Sequence, residues 1–493
     1  MPLRDFGGQR KEMKEMKTRH LLLLFLAVLS PLFAHAQEEV TVGEIKYKLY
    51  SVGAYVSGTT TKNIVVASIA QSITDGTNNY NVIGIEDDAF SGCSGLLIAS
   101  IPSTVTIIGE RAFMNCGSLT AITVPGSVTT IGASAFYGCG KLNSLTLSSG
   151  IQSIGVDAFN GCQKLKTVTL PKTVVAVGHR AFAGCTELNK ITIPEGLLSL
   201  GDDVFSGCES LTAISLPKSL INMGRGILQG CKSMTSVVVN AGNPVFDSRN
   251  GSNAIFRTAT NELISGCKTT KIPATTNVIC EYAFANIDGL TTATIGNSVT
   301  SIGEYAFYQC TGLASISMGN SVTSIGEYAF YGCTKLQKII LPNGVKEIKN
   351  STFESSGLTS VAIGNSVTVI GSRTFVYCSN LKEVICYNTA PPSVVIDRYY
   401  ASDNTFYGNA DGRILYVPTE SMNAYQSSGW GRFGFTIRSL DELPTGIEAV
   451  EHEKAGGGRS ADDAWYTLGG QRLQGEPTTK GIYIQSGRKV LVK

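Results

Sequence analysis

Apolar residues recur along this chain with a period of 23 positions. The clearest marker is cysteine, which stands at 93, 116, 139, 162, 185, 208 and 231. Aligned on that column, each unit follows the pattern L-x-x-I-x-I-P/G-x-x-V-x-x-I-G-x-x-A-F-x-x-C. The register returns at Cys310 and Cys333 and, after one deletion, at Cys378. Ile287 and Ser356 fill the cysteine position of their units. A fixed period of this length is typical of a solenoid.

Each unit predicts two short strands and one turn. In L-x-x-I-x-I the two isoleucines lie two positions apart on the buried face of a strand, and Thr or Ser faces outward between them. Pro or Gly-Asn ends this strand, since Pro cannot donate to a ladder. V-x-x-I-G forms a second extended piece that ends at a glycine, which allows a tight corner. A-F-x-x-C is predicted to be a short helical turn whose Phe and Cys point inward.

One unit is too small to bury its own apolar side chains, so the units must stack on one another. Twelve copies can be aligned in the sequence. With ~4.8 Å per stacked strand, twelve copies give an array on the order of 55–60 Å long. The sequence therefore predicts a β-rich solenoid of 23-residue units with parallel strands, short helical turns and a cap at each end.

Two units illustrate a resemblance: IPSTVTIIGERAFMNC (101–116) and VPGSVTTIGASAFYGC (124–139). Such units resemble the BspA-like leucine-rich repeats of bacterial surface proteins of the Bacteroidetes type, and the resemblance covers roughly residues 82–386. It implies a right-handed solenoid with a parallel sheet along one side. It also implies adhesion to host or microbial surface proteins.

The pattern divides the chain into segments with different composition. Residues 232–286 break the period, and NPVFDSRNGSNAIFRTATNELISGC (243–267) indicates a strand–turn–strand excursion. The predicted segments are a signal peptide (1–36), an N-terminal β cap (37–85), the solenoid (86–400) with its irregular unit (232–286), a C-terminal cap (401–443), a Gly-rich linker (444–464) and a C-terminal β tail (465–493).

The N-terminal segment is typical of a secretion signal. A basic start is followed by LLLLFLAVL (21–29), which is too short to span a bilayer. Ala34-His35-Ala36 fits the small-residue cleavage pattern, so Gln37 is predicted to open the mature chain. We therefore expect a secreted or outer-surface protein without a transmembrane helix in the mature chain.

The C-terminal tail alternates apolar and polar residues and predicts a hairpin that turns at Ser486-Gly487. Its Y-x-L-x-G and GIYI…GRKV segments resemble the sorting module of proteins exported by the type IX secretion pathway of Bacteroidetes. The alternative is a plain terminal β-module, since the motif is short.

Charge and motif content narrow the possible chemistry. After residue 36 the chain has 34 Lys and Arg against 35 Asp and Glu, so it offers no electrostatic reason to bind nucleic acid. Two histidines follow residue 36, His179 and His452, and no catalytic or phosphate-binding motif accompanies them. We therefore expect no enzyme activity, no metal and no cofactor.

The cysteine column permits three interpretations. Stacked residues would lie ~4.8 Å apart, a distance that disulfide Cα atoms tolerate, although parallel Cβ atoms would then lie farther apart than disulfides prefer. Ile287 and Ser356 replace cysteine without breaking the period, which favours a small core residue. Some disulfides, or a metal or redox site, are the alternatives. Cys267 and Cys280 lie outside the column.

Two outward columns are candidate binding surfaces. The outward strand position holds Thr123, Thr146, Thr169 and Thr192, which strand propensity alone would also explain. A second column holds Tyr282, Tyr305 and Tyr328, each beside a Glu. Exposed tyrosines are enriched at interfaces, although copying of one unit, NSVTSIGEYAFY, would also produce this column.

The leading hypothesis is a protein that binds an extracellular protein, either a host matrix protein or a bacterial surface protein. The alternative is a glycan-binding or structural envelope module, with the three tyrosines as a stacking platform.

Overall fold

The computed structural model describes residues 38–395 and 405–443, and the backbone of three short strands near the C-terminus. The predicted signal peptide, the cleavage site at Ala36 and Gln37, and the linker with His452 lie outside the described residues. Within the described residues, no helix is long and apolar enough to cross a membrane.

Each coil contributes its L-x-x-I-x-I strand to one side of the solenoid, which we call the first-strand face, and the last two strands of this face come from the C-terminal cap. These strands are Ile98–Ser100, Ala121–Val124, Ser144–Leu147, Thr167–Thr169, Lys190–Thr192, Ala213–Leu216, Ser236–Val239, Thr292–Ile295, Ser315–Met318, Lys338–Ile340, Ser360–Ile363, Glu383–Cys386, Ile414–Val417 and Thr436–Ser439.

A second strand of two residues follows in most coils. It ends just before the corner position, which is glycine except at Cys280, Lys349 and Val395. These strands are Ile107–Ile108, Thr130–Ile131, Ser153–Ile154, Ala176–Val177, Ser199–Leu200, Asn222–Met223, Val278–Ile279, Ser301–Ile302, Ser324–Ile325, Glu347–Ile348, Val369–Ile370 and Ser393–Val394.

Neighbouring coils pair in parallel and in the register of the repeat. Thr146 lies opposite Thr123 on the first-strand face, and Ile154 lies opposite Ile131 on the second. Equivalent residues therefore form columns along the solenoid. This architecture confirms the predicted β-rich solenoid of 23-residue units.

The A-F-x-x-C segments form a third side, the turn face, and here the predicted helical turns are replaced by tight turns. The N–H groups of Arg111, Phe113 and Asn115 donate to carbonyls of the next coil at 2.7–2.8 Å. The N–H groups of Met114 and Cys116 instead close local turns. Arg111 and Asn115 have φ of 52° and 58°, which no right-handed helix contains. Bonding between coils thus replaces bonding within a helix.

The corner glycines are needed because coils approach each other closely. A Cβ atom on Gly132 would lie 2.5 Å from the backbone of Gly109. Gly132 has no positive φ, so the close approach requires glycine here rather than the tight corner that the sequence suggested.

The core consists of continuous apolar columns. Phenylalanine rings stack with centroids 4.9–6.1 Å apart in one series and 5.0–5.6 Å apart in a second. Phe406 from the C-terminal cap ends the second series. Each stacked pair contributes about 0.5–1.5 kcal/mol beyond the area it buries. Leu228 stands between the two series.

The irregular unit lies between the two large clusters of buried apolar residues, one mainly before it and one mainly after it. Its strands Phe246–Asp247, Ile255–Arg257 and Glu262–Ser265 pair antiparallel, with a 3-10 turn at Arg249–Gly251. The turn face nevertheless continues across it, because Gly230 N–H donates to the carbonyl of Ala285 at 3.0 Å.

Both ends of the solenoid carry additional elements. The N-terminal strands are Glu38–Val42, Ile45–Tyr50, Gly53–Thr59, Val66–Ser68, Ser72–Thr74 and Asn79–Ile85. The C-terminal elements are one helix, Met422–Ser427, and 3-10 turns at Thr419–Ser421, Gly429–Phe433 and Leu440–Glu442. The tail strands are Trp465–Thr467, Gly481–Gln485 and Arg488–Val492, which pair antiparallel in sequence order.

Candidate binding surface

Tyr282, Tyr305 and Tyr328 form a stack on the turn face that we call the tyrosine ladder. The ring centroids of Tyr282 and Tyr305 are 4.9 Å apart, those of Tyr305 and Tyr328 are 4.8 Å apart, and both pairs are within 2° of parallel. Tyr305 is therefore covered on both faces, and only the two end rings have a face without a tyrosine partner. All three side chains are half-buried.

The ladder residues have an uncommon backbone conformation. Their φ values are 58°, 54° and 54°, in the left-handed region that bulky residues seldom adopt. Hydrogen bonds between coils maintain it, since each tyrosine N–H donates to a carbonyl of the next coil at 3.0–3.3 Å. The same position holds Ser134 and Ser351 in other coils, also at positive φ. The fold thus imposes this conformation whichever residue is present.

Tyr308 and Tyr331 form a second column beside the ladder, which the sequence analysis missed. Their ring centroids are 5.1 Å apart, and each ring also contacts the ladder, Tyr308 at 5.5 Å from Tyr305 and Tyr331 at 6.0 Å from Tyr328. The signal was present in the sequence, because both copies of NSVTSIGEYAFY end in this tyrosine.

A cavity adjoins each end of the ladder, where the column holds a small residue. Gly226 precedes Tyr282, and the cavity there has a volume of about 320 Å³. Ser351 follows Tyr328, and the cavity there has a volume of about 500 Å³. The end rings of the ladder form part of the walls of these cavities.

Charged residues surround the ladder. Glu281 pairs with Arg225 at 2.5 Å, whereas Glu327 accepts a hydrogen bond from Asn350 at 3.2 Å. Glu304 is exposed. Burial raises the pKa of the Tyr282 and Tyr305 phenols, and neighbouring carboxylates raise it further. Tyr282 and Tyr305 therefore present neutral phenols next to carboxylates at physiological pH.

The threonine column lies on a different face of the solenoid from the tyrosine ladder. Thr123, Thr146, Thr169 and Thr192 are all exposed on the first-strand face. Thr146 pairs in register with Thr123, and Thr192 with Thr169. The structure thus places the two candidate columns on different sides of the solenoid, and it does not bring them together.

The repeat matches a known family. The model of the BspA type leucine rich repeat region matches residues 68–174, 129–253 and 259–382 in six copies, which together span more than half of the chain. The chain belongs to the BspA-type leucine-rich repeat family. No curated protein matches it significantly.

Solved structures show related architecture. A leucine rich cell surface protein from Faecalibacterium prausnitzii is 26% identical, with a TM-score of 0.61 over 74% of this chain and 97% of that chain. The pneumococcal vaccine antigen PcpA is 22% identical, with a TM-score of 0.60 over 82% of this chain and 99% of that chain. The second likeness shows a shared fold.

In this BspA-type array the cysteine column is structural. All 13 cysteines are free thiols, and all but Cys280 are buried. In nine coils the thiol donates to the carbonyl of the phenylalanine one coil earlier, as Cys162 does to Phe136 at 3.3 Å. Burial raises the pKa of Cys185 and Cys310 to about 12. The core-residue interpretation is therefore confirmed, with one added hydrogen bond.

The remaining candidate chemistry of the BspA-type array is sparse. His179 is exposed, and its Nδ1 accepts the backbone N–H of Asp202 at 2.9 Å, so this nitrogen already has a partner. Among the residues that the structure describes, no group of His, Cys, Asp and Glu side chains could hold a metal ion.

Proposed function

We propose that the protein is secreted or displayed on the bacterial cell surface and binds an extracellular protein through the turn face. The observation that supports this proposal most directly is the pair of tyrosine columns, in which five half-buried tyrosines form two adjoining rows beside carboxylates. Tyrosine supplies a large contact area with little loss of conformational freedom, and it is enriched at protein interfaces. The family match and the cell-surface relative from Faecalibacterium prausnitzii support this proposal.

Delivery to the surface is part of the proposal. Residues 1–36 would act as a signal peptide cleaved between Ala36 and Gln37, and residues 465–493 would act as a type IX sorting or anchoring module. Mass spectrometry of the exported protein tests both, because it reads the mature N-terminus and shows whether the tail is retained. A mature chain that still carries residues 1–36 would contradict the first assignment.

The partner would be a host matrix protein or a bacterial surface protein. We would immobilise the full chain and a Tyr305→Ser, Tyr328→Ser double variant, and expose both to extracellular matrix and bacterial surface proteins. Serine is compatible with this backbone conformation, because Ser134 and Ser351 occupy the same column at positive φ. Thr123→Ser with Thr146→Ser on the first-strand face serves as the matched control.

Capture by the wild type and the control, with loss in the tyrosine variant, is the expected result. If all three chains captured the partner equally, the turn face would not be the binding surface. Failure of the wild type to capture any surface protein would contradict the function itself.

The stacking argues against a glycan platform along the ladder. A sugar ring needs an open aromatic face, and Tyr305 has a tyrosine on both of its faces. A glycan array probed with the wild type distinguishes the two functions. If the wild type bound a glycan but captured no surface protein, the alternative function would be favoured.

A further inference from the structure

The tyrosine ladder ends at Tyr328, although its column continues for at least two more coils. Tyr328 stacks on Tyr305 with one face, and the next residue of the column, Ser351, has no ring to cover the other. Ser351 has a φ of 51°, close to the 54° of Tyr328. Arg373 follows it in the column, also at positive φ. A gap one coil wide therefore separates the Tyr328 ring from the following arginine.

This gap is the cavity of about 500 Å³. Tyr328 and Tyr331 form two of its walls, and their rings meet at 51° with centroids 6.0 Å apart. Glu354 occupies the next position of the Tyr331 column and is paired with Arg373. The cavity thus combines an aromatic corner on one side with a polar wall on the other.

The polar wall is held in place by its own hydrogen bonds. The Arg373 guanidinium donates to both carboxylate oxygens of Glu354, from Nε at 3.1 Å and from Nη2. The Asn350 side-chain oxygen accepts from the Ser372 N–H at 3.0 Å and from its hydroxyl at 3.2 Å. This fixes the amide so that its Nδ2 donates to Glu327.

Charge in the cavity is unbalanced towards the negative. Arg373 neutralises Glu354, whereas Glu327 has no cationic partner among the described residues. A carboxylate beside an open tyrosine face attracts a cation through both the charge and the ring quadrupole. An uncharged aromatic ligand could stack on the ring, but it would desolvate Glu327 without supplying a cationic partner, at a cost.

The cavity at the other end of the ladder lacks this selectivity. It adjoins Tyr282 and is lined by Arg180 and Arg225 as well as Asp202 and Asp203. Cations already stand beside its carboxylates, so an added cation would meet repulsion there.

We propose that the cavity between Tyr328 and Arg373 receives a lysine or arginine side chain of the protein partner, stacked on the Tyr328 ring and paired with Glu327. This inference rests on the proposed protein-binding function and specifies what the turn face recognises. Arginine suits both contacts, since its planar guanidinium stacks on aromatic rings and pairs with carboxylates.

The test uses Ser351→Tyr, which adds a fourth ring to the ladder and fills the cavity without changing the charge. Ser134→Tyr is the matched control, because Ser134 occupies the same column at φ 53° far from the cavity. Isothermal titration calorimetry would measure binding of hexaarginine, hexalysine and the uncharged arginine isostere hexacitrulline to the full chain. Circular dichroism would verify that each variant is folded.

We expect the oligocations to bind the wild type and Ser134→Tyr, and to bind Ser351→Tyr and Tyr328→Ala about tenfold more weakly or not at all. Hexacitrulline should not bind. Unchanged binding to Ser351→Tyr, equal losses in both tyrosine-adding variants, or equal binding of hexacitrulline would each overturn the proposal.

Capture of surface proteins by the wild type separates this inference from the proposed function. If Ser351→Tyr captures the same surface protein as well as the wild type does, the cavity plays no part in recognition, and the protein-binding function still stands.

Discussion

Removing one thiol from the core measures how much the cysteine column contributes to stability. In Cys162→Ala the buried sulfur is lost, together with its hydrogen bond to the Phe136 carbonyl at 3.3 Å. The sulfur is similar in size to a methylene group, whose burial contributes ~0.8 kcal/mol, and a weak thiol hydrogen bond contributes ~0.5–1 kcal/mol. The expected loss is therefore about 1–2 kcal/mol.

Two further variants separate the packing contribution from the hydrogen bond. Cys162→Ser keeps a donor in the same place, so its loss should be about half that of alanine. Cys280→Ala serves as the control, since Cys280 is half-buried and lies outside the column; its loss should be under ~1 kcal/mol.

Urea unfolding followed by circular dichroism would compare the four chains, and hydrogen exchange of the coils around residue 162 would localise the effect. Local exchange is needed because long repeat arrays can depart from two-state unfolding. If Cys162→Ala were as stable as the wild type, the column would not act through packing. If Cys162→Ser lost as much as alanine, the hydrogen bond would contribute nothing.

Three other predictions follow from the same structure. A thiol reagent should find almost no reactive cysteine in the folded protein and all 13 after unfolding without reductant; a count near zero would indicate disulfides. Gly132→Ala should lower the free energy of unfolding by ~1–3 kcal/mol, because its Cβ would meet backbone at 2.5 Å, whereas Gly117→Ala, with nothing within 4 Å, should change it little. Arg373→Ala should lower the free energy of unfolding by ~3–5 kcal/mol, since it leaves the buried Glu354 carboxylate without this cation. Loss of the exposed ion pair in Lys164→Ala should cost under ~1 kcal/mol, and equal losses in these two variants would contradict the role of burial.

The repeat and its core could be predicted from sequence because every unit carries the same pattern of apolar residues. The columns of Leu, Ile, Phe and Cys are buried as the 23-residue period required. The turn face was less predictable, since its N–H groups bond to the next coil, and no pattern within one unit reveals a partner in another. A-F-x-x-C therefore suggested a helical turn where the structure has left-handed residues four positions apart, such as Arg111 and Asn115.

The candidate surface was predicted in part. The period alone aligned Tyr282, Tyr305 and Tyr328, and the structure stacks them. Tyr308 and Tyr331 were missed because they follow the buried phenylalanine, and the equivalent position in other coils holds unrelated residues such as Ser91. The cavity beyond Tyr328 depends on which residue comes next in the column, so it becomes visible only when neighbouring coils are placed side by side.

The interruption of the core at the irregular unit has a mechanical consequence. The backbone hydrogen bonds between neighbouring coils run along the axis of the solenoid. A force applied at its two ends therefore loads these bonds directly. Each coil that detaches gives up ~4.8 Å of stacked length and releases about 75–80 Å of extended chain. The array would then lengthen coil by coil as an extensible tether. The first yield point under load would lie near residues 232–286, where the two apolar clusters meet.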